Sequence, residues 1–216
     1  TGWCFGGPNI PPALGCAEVV HQAWDAPAGQ PLKLNIKTRL AQAIIAVAPG
    51  GNVVDLRDRL ADDGSLDWQA PDSGWRVHAV SQKTTARLVK RSAPGGAGPM
   101  LNPFCGEALR QYVSRFSEAF TKYPGPLPRA QYHDSFEYDG NWTPDLFDEF
   151  EKRRGYRLQE HLAPLFGEGD PEDIARVKCD YRETISDMLL ENVIRPWAAW
   201  AHEMGCVTRN QAHGSP

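Results

Sequence analysis

The densest group of polar side chains lies in residues 132–138, directly after a short run predicted to form a strand. In parallel β/α folds ligands bind at the carboxyl ends of strands, where the following loops form a crevice. Glu137 lies in this segment and is flanked by aromatic residues, which include Trp142 in the next turn. Burial among aromatic rings would raise the pKa of its carboxyl group, as a general acid requires. We therefore predict that Glu137 is catalytic.

Two neighbours of Glu137 allow more than one interpretation. Asp134 lies closer to the strand and is predicted to orient a partner or to bind a sugar hydroxyl. His133 either faces the crevice or is a structural histidine with its hydrogen bonds satisfied, because side chains alternate along a strand. From spacing alone, an acidic residue after a strand is more often a helix cap or a surface charge.

A second polar group, Arg209, Gln211 and His213, follows the next predicted strand. Side chains of these types hydrogen-bond sugar hydroxyls, although the same pattern also occurs in an ordinary polar turn. Trp3 and Trp142 are predicted to offer aromatic faces to sugar rings. The polar stretch Lys90-Arg91 is interpreted as solvated or capping charge.

The elements that would position these residues differ along the chain. Residues 1–16 form a loop rich in Gly and Pro, which belongs at a strand exit. Residues 17–92 are predicted to be an inserted antiparallel β region, since period-two alternation is clear from about residue 30, as at Trp75, Val77 and Ala79.

Residues 93–216 alternate between helical and strand patterns. The first helix carries an apolar stripe from Ala108 to Phe120 and is followed by a strand over Arg129–Ser135. A second helix is predicted to begin with Thr143 as N-cap and Pro144 at the first helical position, and to stop at Gly155. A third helix is predicted to start at Asp170 and Pro171, to kink at Pro196 and to stop at Gly205. A strand over Cys206–Asn210 follows it. This alternation predicts an α/β fold with parallel β/α units.

Periodicity does not separate a barrel from a doubly wound sheet. A whole (β/α)8 barrel needs about 250 residues. This chain is predicted to have only two or three barrel strands and an inserted β region, so we expect it to contain the middle part of a barrel. The chain begins without Met, and both ends look cut, so we expect an internal piece, truncated at both ends.

Bulk composition excludes several partners. With 23 basic and 27 acidic residues, the net charge of -4 does not suit nucleic acid. No apolar run is long enough for a membrane span. The five Cys residues lack CxxC spacing, which argues against a zinc knuckle, and their odd number argues against a complete disulfide framework. The termini carry no signal from which the cellular compartment could be predicted. We expect a periplasmic or secreted protein.

An ordered set of short motifs resembles the α-L-rhamnosidases of glycoside hydrolase family 106. The motifs are Gly2-Trp3 with Gly6-Gly7-Pro8, Val89-Lys90-Arg91 with Ala93-Pro94-Gly95-Gly96, Asp134-Ser135-Phe136-Glu137, Asn141-Trp142-Thr143-Pro144, Arg153-Arg154-Gly155-Tyr156, and Gln211-Ala212-His213-Gly214. Each motif is weak alone, but their order across nearly the whole chain is specific.

The resemblance implies a (β/α)8 barrel that removes terminal α-L-rhamnose from glycans with inversion and has calcium near the sugar. Glu137 then corresponds to one of two catalytic carboxylates, which stand about 6.5 to 9.5 Å apart in inverting enzymes. The second glutamate is expected after His213, so the fragment alone should be inactive. The acid or base role of Glu137 and the calcium ligands stay open.

Two other functions are compatible with these residues. One is a carbohydrate-binding barrel without catalysis. This interpretation would be favoured if the parent protein had no acidic residue opposite Glu137. The other is a metal-dependent hydrolase that uses His133, Asp134 and His213, although these residues lack HxH or HExxH spacing.

Overall fold

The computed structural model describes residues 4–211, within which the chain has mixed α/β structure. The strands are β1 (Ala17–Ala26), β2 (Pro31–Lys33), β3 (Ala43–Val47), β4 (Val53–Asp55), β5 (Ser65–Gln69), β6 (Trp75–Thr84), β7 (Ala130–His133) and β8 (Val207–Asn210). The α-helices are α1 (Gly106–Lys122), α2 (Leu146–Arg154), α3 (Leu162–Leu165), α4 (Pro171–Met188) and α5 (Arg195–Glu203). Short 3₁₀ turns cover Pro12–Leu14, Thr38–Leu40, Arg57–Arg59 and Leu158–His161, and a π-helical segment covers Leu189–Ile194.

The antiparallel pairing predicted for the β region is confirmed. Its main sheet has the strand order β1-β6-β3-β4, and β3 pairs antiparallel with both β4 and β6. A smaller antiparallel sheet pairs β2 with β5. The alternating residues Trp75, Val77 and Ala79 are all buried, as the period-two pattern predicts.

Strand β1 lies inside the predicted β region of residues 17–92 but before the clear period-two pattern, so the sequence did not locate it as a separate strand. Its residues from Glu18 to Trp24 are all half-buried, and Asp25 is the one exposed position of the strand. A strand whose two faces are about equally covered gives no alternation of apolar and polar residues. Periodicity therefore could not reveal it.

Strands β7 and β8 form a parallel pair, in register from Ala130 opposite Val207 to His133 opposite Asn210. Helices α2 to α5 lie between them in the chain. The predicted β/α alternation with parallel pairing is therefore confirmed, although both strands are shorter than expected. Two paired strands within residues 4–211 do not by themselves define a closed barrel.

The helix signals were correct at most ends. Helix α1 buries the predicted stripe at Ala108, Leu109 and Tyr112. The predicted start of α2 is wrong: Pro144 and Asp145 form a turn, Thr143 is fully buried, and the helix begins at Leu146.

The stop and start signals around residues 155–171 are confirmed. Gly155 ends α2 in the left-handed conformation with φ of 78°. Asp170 caps α4, since its Oδ1 atom accepts the backbone N–H of Glu172 at 2.9 Å and that of Asp173 at 3.3 Å.

The predicted kink at Pro196 takes the form of a change in helix type. The π-helical segment separates α4 from α5, and Pro196 is the second residue of α5. Gly205 closes the helix as predicted, with φ of 74°. Its N–H bonds His202 at 2.9 Å, and the Cys206 N–H bonds Ala201 at 3.0 Å, the pair of a Schellman motif.

The chain divides into two compact units. The first unit comprises Thr1–Glu18, Thr84–Thr143 and Ile185–Pro216, and the second comprises Val19–Lys83 and Pro144–Thr184. Each unit has an apolar core of its own. The core of the first includes Phe5, Leu101, Leu109 and Trp197, and that of the second includes Ile44, Leu56, Val77 and Ala79.

Candidate active site

Glu137 lies in the loop that leaves β7, with 23% of its side chain exposed. Its Oε2 atom accepts a hydrogen bond from Lys90 Nζ at 3.0 Å, and its Oε1 atom accepts one from Ser135 Oγ at 3.0 Å. The carboxylate faces a half-open cavity of about 490 Å³. The cavity is lined by Arg87, Leu88, Lys90, Met100, Glu137, Tyr138 and Asp139.

The pKa of Glu137 is lowered, first by the hydrogen bond from Lys90. Desolvation opposes this effect, and the hydrogen bond from Ser135 adds to it. The expectation of a raised pKa for Glu137 is therefore wrong, because the cation and the hydroxyl donor stabilise the ionised form more than desolvation disfavours it. Glu137 is a carboxylate at neutral pH.

Lys90 reaches Glu137 from a segment that the core holds in place. The preceding side chain, Val89, is only 6% exposed and packs in the apolar core of the first unit. Backbone hydrogen bonds join Val89 N–H to Gly98 at 2.9 Å and Met100 N–H to Arg87 at 3.0 Å. Lys90 is thus an ion-pair partner, which corrects its interpretation as a solvated charge. Spacing could not reveal the pair, because 47 residues separate its members.

A second ion pair joins the same two segments, with Arg87 Nε 2.5 Å from a carboxylate oxygen of Asp139. The Arg87 and Asp139 side chains are 69% and 44% exposed, so water screens the pair and its contribution to stability is small. Its effect is to place one more cation and one more carboxylate on the cavity wall.

His133 is buried with both ring nitrogens hydrogen-bonded, as its structural interpretation predicts, and its role in substrate binding stays a prediction. Its side chain is 3% exposed, with Nδ1 2.9 Å from Asn210 Oδ1 and Nε2 3.0 Å from the Tyr138 hydroxyl. The Tyr138 oxygen also accepts the Phe5 N–H at 3.0 Å. Burial lowers the pKa of His133, which fits a neutral ring that donates from Nδ1 and accepts at Nε2.

The exits of β7 and β8 converge on Tyr132. Its hydroxyl lies 2.8 Å from Gln211 Oε1 and 3.3 Å from Asp134 Oδ1, and the Arg209 guanidinium carbon lies 5.5 Å from its ring centroid. The structure thus brings together three of the predicted binding residues, Asp134, Arg209 and Gln211. Sequence reasoning gave Tyr132 no role, although it stands in the polar segment.

A second cavity, of about 230 Å³, adjoins this group. Its polar end has Tyr132, His133 and Asp134, and most of the remaining wall is aromatic. The other lining residues are Cys4, Phe5, Tyr112, Phe116, Gln131, Trp197 and Trp200.

The predicted contact of Trp142 with substrate is not supported by its position. The side chain is 1% exposed, which leaves no ring face for a sugar. Its backbone oxygen accepts a hydrogen bond from Asn102 Nδ2 at 2.9 Å, and its N–H bonds Ala17 at 3.1 Å. Trp142 is a packing residue here. The other predicted residues, Trp3 and His213, lie outside the described range.

Within residues 4–211, no three His, Cys, Asp or Glu side chains come together as metal ligands. Both ring nitrogens of His133 are already hydrogen-bonded, so the proposed set with Asp134 lacks a free imidazole. Calcium is also held by backbone and amide oxygens, so the calcium ion that the resemblance implies stays a prediction. In this range, no helix has both the length and the apolar character needed to cross a bilayer.

Comparison with known proteins assigns the class. The model of glycoside hydrolase family 106, described as alpha-L-rhamnosidase, matches residues 20–215, and the chain belongs to this family. A solved rhamnosidase structure from Novosphingobium sp. PP1Y is 31% identical, with a TM-score of 0.66 over 79% of this chain. A Formosa agariphila protein provisionally named a beta-glucuronidase is 26% identical over 167 residues, or 74% of this chain.

This chain spans only part of those relatives. It covers 17% of the Novosphingobium rhamnosidase and 14% of the Formosa protein. The resemblance to family 106 read from the sequence motifs is confirmed by the family match.

Proposed function

We propose that the full-length protein is an inverting glycosidase that removes terminal α-L-rhamnose from an oligosaccharide or glycoside, with Glu137 as one of its two catalytic carboxylates. The observation that carries the proposal is an ionised carboxylate on a cavity at the exit of a parallel strand. Membership of the α-L-rhamnosidase family supports the substrate class.

The fold proposed for this function is a (β/α)8 barrel in which β7 and β8 are neighbouring strands. Residues 1–16 would form a strand-exit loop, residues 17–92 an inserted β region, and residues 93–216 the barrel units. The parallel pairing of β7 and β8, with helices between them in the chain, supports this proposal. The second catalytic glutamate would follow His213 in the chain.

An inverting mechanism needs one carboxyl group to protonate the leaving oxygen and one carboxylate to activate water. Ionised Glu137 is in the state that a base requires. To act as the acid, it would first have to take up a proton against the field of Lys90. Asp134, Arg209 and Gln211 would bind sugar hydroxyls beside it.

The test compares wild-type full-length protein with Glu137→Gln on an aryl α-L-rhamnoside. We expect kcat/KM to fall by about 10³-fold while binding of rhamnose persists. Glu118→Gln is the matched control, because Glu118 is an exposed helical glutamate that lines neither cavity. Proton NMR of the released sugar reports whether its anomeric configuration inverts.

Three outcomes would contradict the proposal. Near wild-type turnover by Glu137→Gln would remove Glu137 from the mechanism. Rhamnose binding without any hydrolysis by the wild type would favour a carbohydrate-binding barrel. Cleavage of an aryl β-glucuronide in place of the rhamnoside would show that the substrate is a glucuronide, as the name of the Formosa protein states for that protein.

A further inference from the structure

We propose that Lys90 is a positioning residue that fixes the orientation and charge of the Glu137 carboxylate. The inference rests on the proposed catalytic role of Glu137. It adds a second segment of the chain to the catalytic apparatus, because Lys90 lies 47 residues before its partner.

Both oxygens of the Glu137 carboxylate have a donor of their own. Lys90 Nζ holds Oε2, and Ser135 Oγ holds Oε1, each at 3.0 Å. Ser135 belongs to the same loop as Glu137, whereas Lys90 comes from a separate segment. Two donors from different directions restrict rotation of the carboxylate, and such orientation is a large part of catalytic power.

The segment that carries Lys90 is itself tightly placed. It is bracketed by Ala86 with φ of 55° and Arg91 with φ of 51°, conformations that cost energy for residues with a Cβ atom. A Cβ atom at Gly6 would lie 2.6 Å from Val89 Cγ2, so glycine is needed where this segment packs. Backbone strain and close packing of this kind are more common at functional sites than on an ordinary surface.

The charges near Glu137 do not offer an equivalent replacement for Lys90. The negative charge of Asp134 acts on the pKa of Glu137 in the opposite sense. Arg87 is engaged by Asp139 on the same cavity wall. Removal of Lys90 would therefore raise the pKa of Glu137, and Ser135 alone would not restore it.

The experiment measures kcat and KM against pH for full-length Lys90→Met, Lys90→Arg and wild type on an aryl α-L-rhamnoside. We expect Lys90→Met to lower kcat by roughly tenfold to a hundredfold, with a smaller change in KM. The limb of the pH profile that belongs to Glu137 should move to higher pH. It is the acidic limb if Glu137 is the base and the alkaline limb if it is the acid. Lys90→Arg should restore most of the wild-type profile.

Lys122→Met is the matched control, since Lys122 forms an exposed ion pair with Glu118 on α1 and should leave the profile unchanged. A wild-type profile and kcat in Lys90→Met, alongside an inactive Glu137→Gln, would overturn the role of Lys90 and leave the proposed function intact. Wild-type turnover by Glu137→Gln would overturn both. A melting temperature equal to that of the wild type shows that Lys90→Met is folded.

Discussion

The hydroxyl of Tyr138 lies 3.0 Å from His133 Nε2, and so joins the loop that carries Glu137 to the end of β7. The same oxygen accepts the N–H of Phe5, a contact across 133 residues of sequence. Because the tyrosine side chain is buried, this hydroxyl has little access to water. The Tyr138 oxygen therefore links three segments of the first unit, namely those that contain Phe5, His133 and Tyr138 itself.

Tyr138→Phe should destabilise the protein and disturb the site together. Loss of the hydroxyl leaves a buried N–H and a buried ring nitrogen without their partner, at a cost of about 1 to 3 kcal/mol each. We expect a lower melting temperature and a lower kcat. Tyr123→Phe, which changes an exposed tyrosine after α1, is the control. Equal melting temperatures for wild type and Tyr138→Phe would contradict the network.

Gly98→Ala should displace the segment that carries Lys90. A Cβ atom at position 98 would lie 2.0 Å from the carbonyl carbon of Gly7, which real structures do not tolerate. We expect a loss of about 2 kcal/mol or more in the free energy of unfolding. Gly50→Ala is the matched control, since its added Cβ atom would meet nothing within 4 Å. Similar denaturation midpoints for the two variants would show that the contact is not as close as described.

The buried thiols should resist alkylation. Burial raises the pKa of Cys4 and of Cys16 to about 12, so at pH 8 almost none of either is thiolate. Cys179 is exposed and should react first with iodoacetamide. Mass spectrometry of the digested protein gives the order of labelling. Early modification of Cys16 in the native protein would contradict its placement in the core.

The second unit should lose stability as the pH falls from about 6.5 to about 4. His21 Nε2 lies 3.1 Å from His78 Nδ1, and desolvation, followed by repulsion from His78, lowers the pKa of His21 to about 4. Desolvation also lowers the pKa of His78, while Glu168 opposes the shift and Arg76 adds to it. The unfolded chain binds protons below about pH 6.5 that the folded pair does not, so acid favours unfolding.

Hydrogen exchange of peptides that cover β1 and β6, corrected for the intrinsic effect of pH, measures this loss. Protection should be weaker at pH 5 than at pH 7.5. His202 is an exposed histidine of α5, and peptides around it serve as the internal reference. Equal protection of β1 and β6 at the two pH values would contradict the lowered pKa values.

Local signals in the sequence located most helices and strands. Gly155, Asp170 and Gly205 each mark an end through the conformation or hydrogen bond of one residue, and the structure confirms all three. Strand β1 was not located from the sequence, because both of its faces are partly covered and its residues show no alternation of apolar and polar types. The predicted start of α2 was two residues early, because Pro144 and Asp145 form a turn before the helix begins at Leu146.

The site was less accessible to such reasoning. Residues near Glu137 in sequence were easy to identify, but the pairing with Lys90 depends on packing between distant segments. For the same reason Trp142 was assigned to a ligand although the fold buries it. Side-chain types indicate which chemistry is available, whereas the tertiary contacts decide which groups are ionised and which are sealed from solvent.

Val89 points into the core and Lys90, the next residue, points to the carboxylate. Deleting or inserting a single residue just before this pair would displace both side chains, so that Val89 would leave the core and Lys90 would leave Glu137. The length of this segment should therefore vary less among natural homologues than its composition, and protein engineers should alter its outward side chains without changing the number of residues.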